Sequence, residues 1–145
     1  MGGFGQDPIP GYDLANENTP ALPLTPETAA LRLLNGPAAG RTYPLTALRL
    51  LVGRTDTRAA IHADIDLTDC EQGPTPKVSR RHAELQWAEE TLRLIDLGSA
   101  NGTWHNSERL TLPNGKSPST PIPLAPGDRI RFANLEFELI ASACL

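Results

Sequence analysis

Apolar and polar residues alternate with a period of two over several short stretches of this 145-residue chain, and a helical period nowhere persists for more than about two turns. Leu31 and Leu33 run into Asn35-Gly36, which reads as a strand entering a turn, with Arg41 to Leu45 as its return. Leu48, Leu50 and Val52 alternate with Arg49 and Leu51 up to Gly53-Arg54. Ala63, Ile65 and Leu67 alternate with Asp64, Asp66 and Thr68, as expected of a strand with one wet face. Ala83, Leu85 and Trp87 repeat the pattern, and Leu92 to Leu97 is more continuously apolar, as expected of a central strand. The stretch from Thr111 to Pro126 holds five prolines, so it predicts loop with at most a short edge strand. Ile130 and Phe132 are followed by Leu135, Phe137 and Leu139 in shifted phase, and a phase shift across Ala133-Asn134 predicts a hairpin. Many short strands separated by turn residues predict an all-β, antiparallel sandwich, although a barrel gives the same pattern.

The first 28 residues depart from this pattern. Four glycines and five prolines among them predict a flexible tail or linker, with the folded domain running from 29 to 142. Thr19 and Thr25 each precede a proline and are candidate phosphorylation sites in that tail. The formal net charge is −4, so no global basic field points to nucleic acid or to an anionic membrane, and any attraction for anions must be local. The two cysteines, Cys70 and Cys144, form no metal-binding pair and are expected as free thiols in a reducing, cytoplasmic setting. No spanning segment or secretion signal is evident, and no metal or cofactor motif is present.

Three polar clusters fall where strands should end: Gly53-Arg54, Val78-Ser79-Arg80-Arg81-His82, and Ser99-Ala100-Asn101-Gly102-Thr103. If those ends share one rim, Arg54 brings a planar fork of donors, Ser79 a short neutral donor, and Arg80 and Arg81 further positive charge. Asn101 adds an amide that both donates and accepts, suited to an extended peptide backbone. Each feature alone has a plainer explanation: a solvated arginine, a polar turn, or an Asn-Gly hairpin. Ser79, His82 and Asp96 also contain the residue types of a hydrolase triad, but without a nucleophile elbow or an oxyanion loop, and an enzyme is not expected. Lys77, Arg80 and Arg81 against an acidic whole make a poor nucleic-acid footprint.

Taken together with Pro126-Gly127-Asp128-Arg129-Ile130, these motifs resemble the signature of the forkhead-associated (FHA) domain, over about Ala29 to Ile140. The resemblance implies a sandwich of about eleven strands whose loops at one end bind phosphothreonine peptides. It implies that Arg54, Ser79, Arg80 and Arg81 meet phosphate or peptide and that Asn101 bonds the peptide main chain. Gly53, His82 and Gly102 match structural positions, His82 bracing the Ser79 loop. The implied role is a protein-protein interaction adaptor in Ser/Thr-kinase signalling, with a phosphothreonine protein as partner, a kinase upstream, and no nucleic acid, membrane or cofactor. A phosphorylated tail folding back into the rim would regulate it. The alternative is a phosphate-independent scaffold or oligomerisation domain of the same fold. Two departures bear on this choice. Ala100 stands where many family members carry a hydroxyl, and 24 residues separate Arg54 from Ser79, more than is usual.

Overall fold

The computed structural model describes residues 22–142. Eleven strands are present among them: β1 (Ala29–Leu33), β2 (Thr42–Pro44), β3 (Arg49–Gly53), β4 (Ile65–Asp66), β5 (Ala83–Ala88), β6 (Thr91–Asp96), β7 (Thr103–His105), β8 (Glu108–Arg109), β9 (Ile122–Pro123), β10 (Arg129–Phe132) and β11 (Leu135–Ala141). They form two sheets, one in the order β2-β1-β11-β10-β7-β8 and the other β4-β3-β5-β6-β9. Every pairing is antiparallel except β3 with β4, where Val52 faces Ile65. The architecture is therefore the all-β sandwich that the alternation predicts.

The alternation also decides which side chains meet between the sheets. In β5, Ala83, Leu85 and Trp87 are buried while Glu84, Gln86 and Ala88 are half-exposed. In β10 and β11 the inward set is Ile130, Phe132, Leu135, Phe137 and Leu139, as the phase shift at Ala133-Asn134 requires. Phe132 is the link between core and rim. Its ring packs edge-on against Phe137 (centroids 5.5 Å apart) and against His82 (5.7 Å, interplanar angle 85°).

Two stretches differ from the sequence expectation. The strand expected across Ala63 to Leu67 is reduced to Ile65–Asp66, because its wet-face carboxylates bond backbone groups instead of leaving them to a ladder. Asp64 accepts the Leu51 N–H at 2.8 Å, and Asp66 accepts the N–H groups of Thr55 and Thr68. Conversely, β7 and β8 form a hairpin that the alternation did not predict, since strands of three and two residues are too short to display a period. Its turn residues, Asn106 and Ser107, both take positive φ (49° and 75°), the twist that two-residue hairpins favour. The edge strand expected in the proline-rich segment is β9.

Of the stretch assigned to the tail, residues 1–21, including Thr19, lie outside the described residues, as does Cys144. Residues 25–28 form a turn: the Thr28 hydroxyl donates to Pro23 O at 2.6 Å, and the Thr25 and Thr28 hydroxyls lie 3.2 Å apart. Leu24 packs against the core. Thr25 is half-buried at the pole where β1 begins and β11 ends. Cys70 is a buried free thiol, 3.0 Å from the Tyr43 hydroxyl. Burial, with the bond to that thiol, pushes the Tyr43 phenol up to about 12.

The polarity of the strands defines two ends. β3 ends, and β5 and β7 begin, at the same pole as the β10–β11 turn, where Ala133 N–H donates to Gly102 O at 3.0 Å. The residue 25–28 turn occupies the other pole, about 20 Å away along the seven residues of β11. Because Phe132 touches His82 directly, Phe132→Ala is expected to cost about 3 to 5 kcal/mol in urea unfolding. The His82 ring resonances should also move in an NMR spectrum of the variant; unmoved resonances would mean that the core does not hold the rim.

Candidate functional site

Gly53 brings the first two polar clusters together. A Cβ built on Gly53 would stand 2.0 Å from Arg80 O and 2.7 Å from Ser79 O, so only glycine lets the Ser79-Arg80 backbone lie against the end of β3. The His82 N–H donates to Val52 O at 3.0 Å and fixes the register of that approach. Arg54, the next residue, then lies beside the same loop. Its Nε–H donates to Val78 O at 2.6 Å, which holds the guanidinium plane and leaves both terminal nitrogens for a ligand.

The third cluster joins through His82. Ser79 N–H donates to His82 Nδ1 at 3.0 Å, so Nδ1 carries no proton; the other ring nitrogen, Nε2–H, donates to Gly102 O at 2.8 Å. One neutral imidazole with 0% exposure thus ties the Ser79 loop to the Asn101-Gly102 loop. Burial pushes the His82 pKa down, against the opposing pull of its bond to Gly102 O. Gly102 has φ +90°, and a Cβ there would meet Arg109 Nε and the Trp104 ring at 2.8 Å.

The loops are braced by groups that take no part in the open surface. Asp96, buried, accepts the Ser99 hydroxyl at 2.6 Å, the Thr103 hydroxyl at 2.7 Å and the N–H groups of Gly98 and Ser99. Glu71 accepts the N–H groups of Lys77 (2.6 Å) and Val78 (3.1 Å), and so shapes the long segment before Ser79. Asp56 accepts from Arg80 at 2.9 Å, and that bond, reinforced by the N–H groups of Ala59 and Arg58, holds its carboxyl below the usual carboxylate range. Glu71 and Asp56 were not singled out as site residues from the sequence. Their signal is an acidic residue in a loop a few positions before unpaired backbone donors, and many loops share it.

The result is an open concavity of about 330 Å³ lined by Arg54, Ile61, Ser79, Arg80 and Arg81. Ser79 Oγ accepts the Ala100 N–H at 3.0 Å, so its own proton is free to point outward. The Ala100 backbone N–H is therefore part of the site even though its side chain lacks a hydroxyl. Asn101 stands on the same rim and donates Nδ2–H to Lys77 O at 2.7 Å, which turns its side-chain oxygen toward incoming donors. Arg81 is exposed at the wall. Four of the five residues expected at a phosphopeptide, Arg54, Ser79, Arg80 and Arg81, share this concavity, with Asn101 beside it. Thr25 does not reach it: it lies at the opposite pole.

Sequence and structure comparisons place this geometry in a known family. The FHA-domain model matches residues 50–133, which contain the whole rim. The chain belongs to the FHA-domain family. The glycogen accumulation regulator GarA of Mycobacterium tuberculosis is 37% identical over 87 residues, 59% of this chain and 46% of the relative, so the matched region spans just under half of that curated protein. A solved FHA domain from a study of phosphothreonine-dependent FHA interactions is 32% identical, with a TM-score of 0.57, covering 78% of this chain and 95% of its own. Mycobacterium tuberculosis EmbR, solved with a low-affinity phosphopeptide, is 30% identical, with a TM-score of 0.61, covering 81% of this chain and 25% of its own.

The FHA domains are binding modules, and the hydrolase-like residue set in this one is put to other use. Ser79 bonds His82 through its backbone N–H and not through its hydroxyl, and Asp96 is occupied by Ser99 and Thr103. No Ser-His-Asp relay is assembled among them.

Two expected outcomes follow from this geometry. Gly53→Ala would force the Ser79-Arg80 backbone away from β3, with a loss of about 2 to 4 kcal/mol in chemical unfolding; a loss within 0.5 kcal/mol would show the contact to be soft. His82 has a folded pKa below its unfolded value of about 6.5, so the stability of its neutral form is fully present above that value. It is lost as pH falls through the depressed folded value. Urea midpoints should therefore drop on acidification below about pH 6.5, and the part of the drop due to this ring should vanish in His82→Asn; identical profiles for both proteins would sink this assignment.

Proposed function

We propose that this FHA domain is a cytoplasmic phosphothreonine-peptide reader, an adaptor that docks proteins modified by a Ser/Thr kinase and performs no catalysis itself. The observation that carries the reading is the pairing of Arg54 and Ser79 on one concavity, each fixed by a backbone hydrogen bond and each with donors left over. A phosphothreonine brings about −1.5 to −2 charges and three acceptor oxygens, which matches two Arg54 nitrogens, the Ser79 hydroxyl and the nearby Arg80 and Arg81 charges. Ile61, half-buried in the same wall, offers apolar surface for the threonine methyl. Asn101 Oδ1 accepts a peptide N–H beside the phosphate. Charge-assisted hydrogen bonds contribute about 1.5 to 3 kcal/mol each, so two or three account for much of the roughly −8 kcal/mol of a micromolar complex. Two solved relatives support the same chemistry, one from a study of phosphothreonine-dependent FHA interactions and one solved with a low-affinity phosphopeptide.

Within this reading, a phosphorylated tail competes with partners for the rim. Thr25 stands three residues before Thr28 at the far pole, a reach of about 10 Å against the roughly 20 Å length of the sandwich. Thr19 has about 30 Å of extended chain before Thr28 once the Leu24 contact and the Thr28–Pro23 bond are released, so the self-inhibited form is assigned to Thr19 and requires that release. At short linker lengths the effective concentration is on the order of millimolar, enough to outcompete a free peptide of micromolar affinity.

Calorimetric titration with a degenerate phosphothreonine peptide library is expected to give binding that the unphosphorylated library lacks. Arg54→Ala and Ser79→Ala should each weaken it, the former by about 2 to 5 kcal/mol. Equal binding of both libraries, or indifference to Arg54→Ala, would turn the reading to a phosphate-independent scaffold. Enzymatic phosphorylation at Thr19 should move the amide resonances of Arg54, Ser79 and Asn101; unmoved resonances would remove the tail from the account.

A further inference from the structure

A second polar surface lies on the outer face of the six-stranded sheet. Trp104 in β7 faces Arg131 in β10 on one side and Arg109 in β8 on the other. The Arg131 guanidinium stacks over the indole ring, 3.7 Å from its centroid, and that of Arg109 stands at 5.3 Å. Arg129, two residues along β10 on the same face, is exposed. Together with Asn106, Ser107 and Glu136, the residues Trp104, Arg129 and Arg131 wall a depression of about 440 Å³.

Charge sets this face apart from the chain that carries it. Among the described residues, no carboxylate comes within 4.0 Å of Arg109, Arg129 or Arg131, while Glu138, the nearest acidic residue across from Arg129, is occupied by Arg32 at 2.6 Å. Glu136 faces Arg131 across the hairpin without forming an ion pair with it. Three guanidiniums with no ion pair inside 4.0 Å among the described residues thus gather on one face, beside the facing carboxylate of Glu136, in a protein of net charge −4. Stacking leaves the edge of a guanidinium exposed, and Arg131 spends one terminal nitrogen on Ala133 O at 2.9 Å. The remaining in-plane donors have the geometry that carboxylates accept. The indole beside them supplies rigid apolar area at little entropic cost.

The surface also runs into the rim. Arg109 Nε and the Trp104 ring both stand 2.8 Å from where a Gly102 Cβ would be, so the stack begins directly under the residue that follows Asn101. Next to the phosphate concavity the charges are already engaged: Asp56 is paired with Arg80, and Asp66 accepts the N–H groups of Thr55 and Thr68. The arginine face thus carries open cations beyond the rim, where an acidic segment of a partner can dock.

We propose that the Trp104, Arg109, Arg129 and Arg131 face is a second docking surface of this domain, taking an extended carboxylate-rich segment of the partner protein whose phosphothreonine occupies the rim. The inference rests on the phosphothreonine reading for the rim, and adds to it a second contact that sets partner choice and affinity.

The test uses the full chain and three synthetic peptides: a phosphothreonine octapeptide, the same octapeptide joined at either end through about four Gly/Ser residues to a Glu/Asp hexamer, and the unphosphorylated hexamer alone. Four extended residues span about 13 Å, more than the roughly 10 Å that three extended residues cover from Asn101 to Trp104. In one of the two orders, the linked peptide is expected to bind about tenfold more tightly than the octapeptide and to shift the indole N–H resonance of Trp104. The gain should disappear in Arg131→Gln and shrink in Arg129→Gln, which lies clear of the stack. The octapeptide's own affinity should stay unchanged in both variants, and the gain should fall steeply with added salt. If the octapeptide fails to bind while the hexamer still moves the Trp104 indole, the rim reading fails and the arginine face stands as an anionic-peptide surface. Equal affinity of linked and unlinked peptides with an unmoved Trp104 indole would leave a cross-strand stack that only stabilises the sheet, and would overturn the proposal. So would displacement of resonances from residues 1–21 in the free Arg131→Gln protein, which would assign the face to the chain's own tail.

Discussion

A single buried imidazole holds the functional end of this protein together. His82 accepts from Ser79 N–H with one nitrogen and donates to Gly102 O with the other, so two loops distant in sequence share one rigid connector. Both bonds require the neutral ring with its proton on Nε2, and a second proton would place two donors face to face at Ser79. The low dielectric that makes this unfavourable is supplied by Phe132, whose ring lies edge-on against the imidazole, and through it by the core. The sandwich and the rim are thus mechanically continuous.

Around that connector the rim is built by backbone more than by side chains. Gly53 allows the closest approach, Val78 O orients Arg54, Ala100 N–H orients Ser79, and Lys77 O orients Asn101. Carboxylates in the segment before Ser79 are largely engaged in capping: Glu71 holds the N–H groups of Lys77 and Val78, and Asp64 holds that of Leu51. This is why a chain with a net negative charge presents a locally cationic concavity. Arg54 and Arg81 stay open, while the nearby acids cap loop backbone or, as Asp56 does, pair with Arg80. Preorganisation of this kind lowers the ordering cost of binding, so few donors suffice for a flexible peptide.

The two faces near Gly102 divide the arginines into different environments. Arg54 and Arg81 face the concavity at the strand ends, while Arg109 and Arg131 lie flat on Trp104 across the sheet. Both sets meet at the loop that His82 holds. A partner that reads both surfaces therefore engages a region whose geometry depends on the same buried ring.

Much of this was legible in the sequence. Period-two alternation specified β1, β3, β5, β10 and β11, because one face of each is buried and burial enforces the pleat, and a continuous apolar run specified β6. The glycine, serine, histidine and asparagine motifs at strand ends identified the rim residues as a set. Short-range pattern failed where a side chain competed with the ladder, as Asp64 and Asp66 do at β4, and where strands were too brief to show a period, as in β7 and β8. Tertiary structure alone decided that Glu71 and Asp56 are braces, that Thr25 lies at the far pole, and that Trp104, Arg109 and Arg131 stack into one surface. Those facts depend on which strands become neighbours, and neighbours in a sheet are fixed by packing the whole core and not by any local stretch of chain.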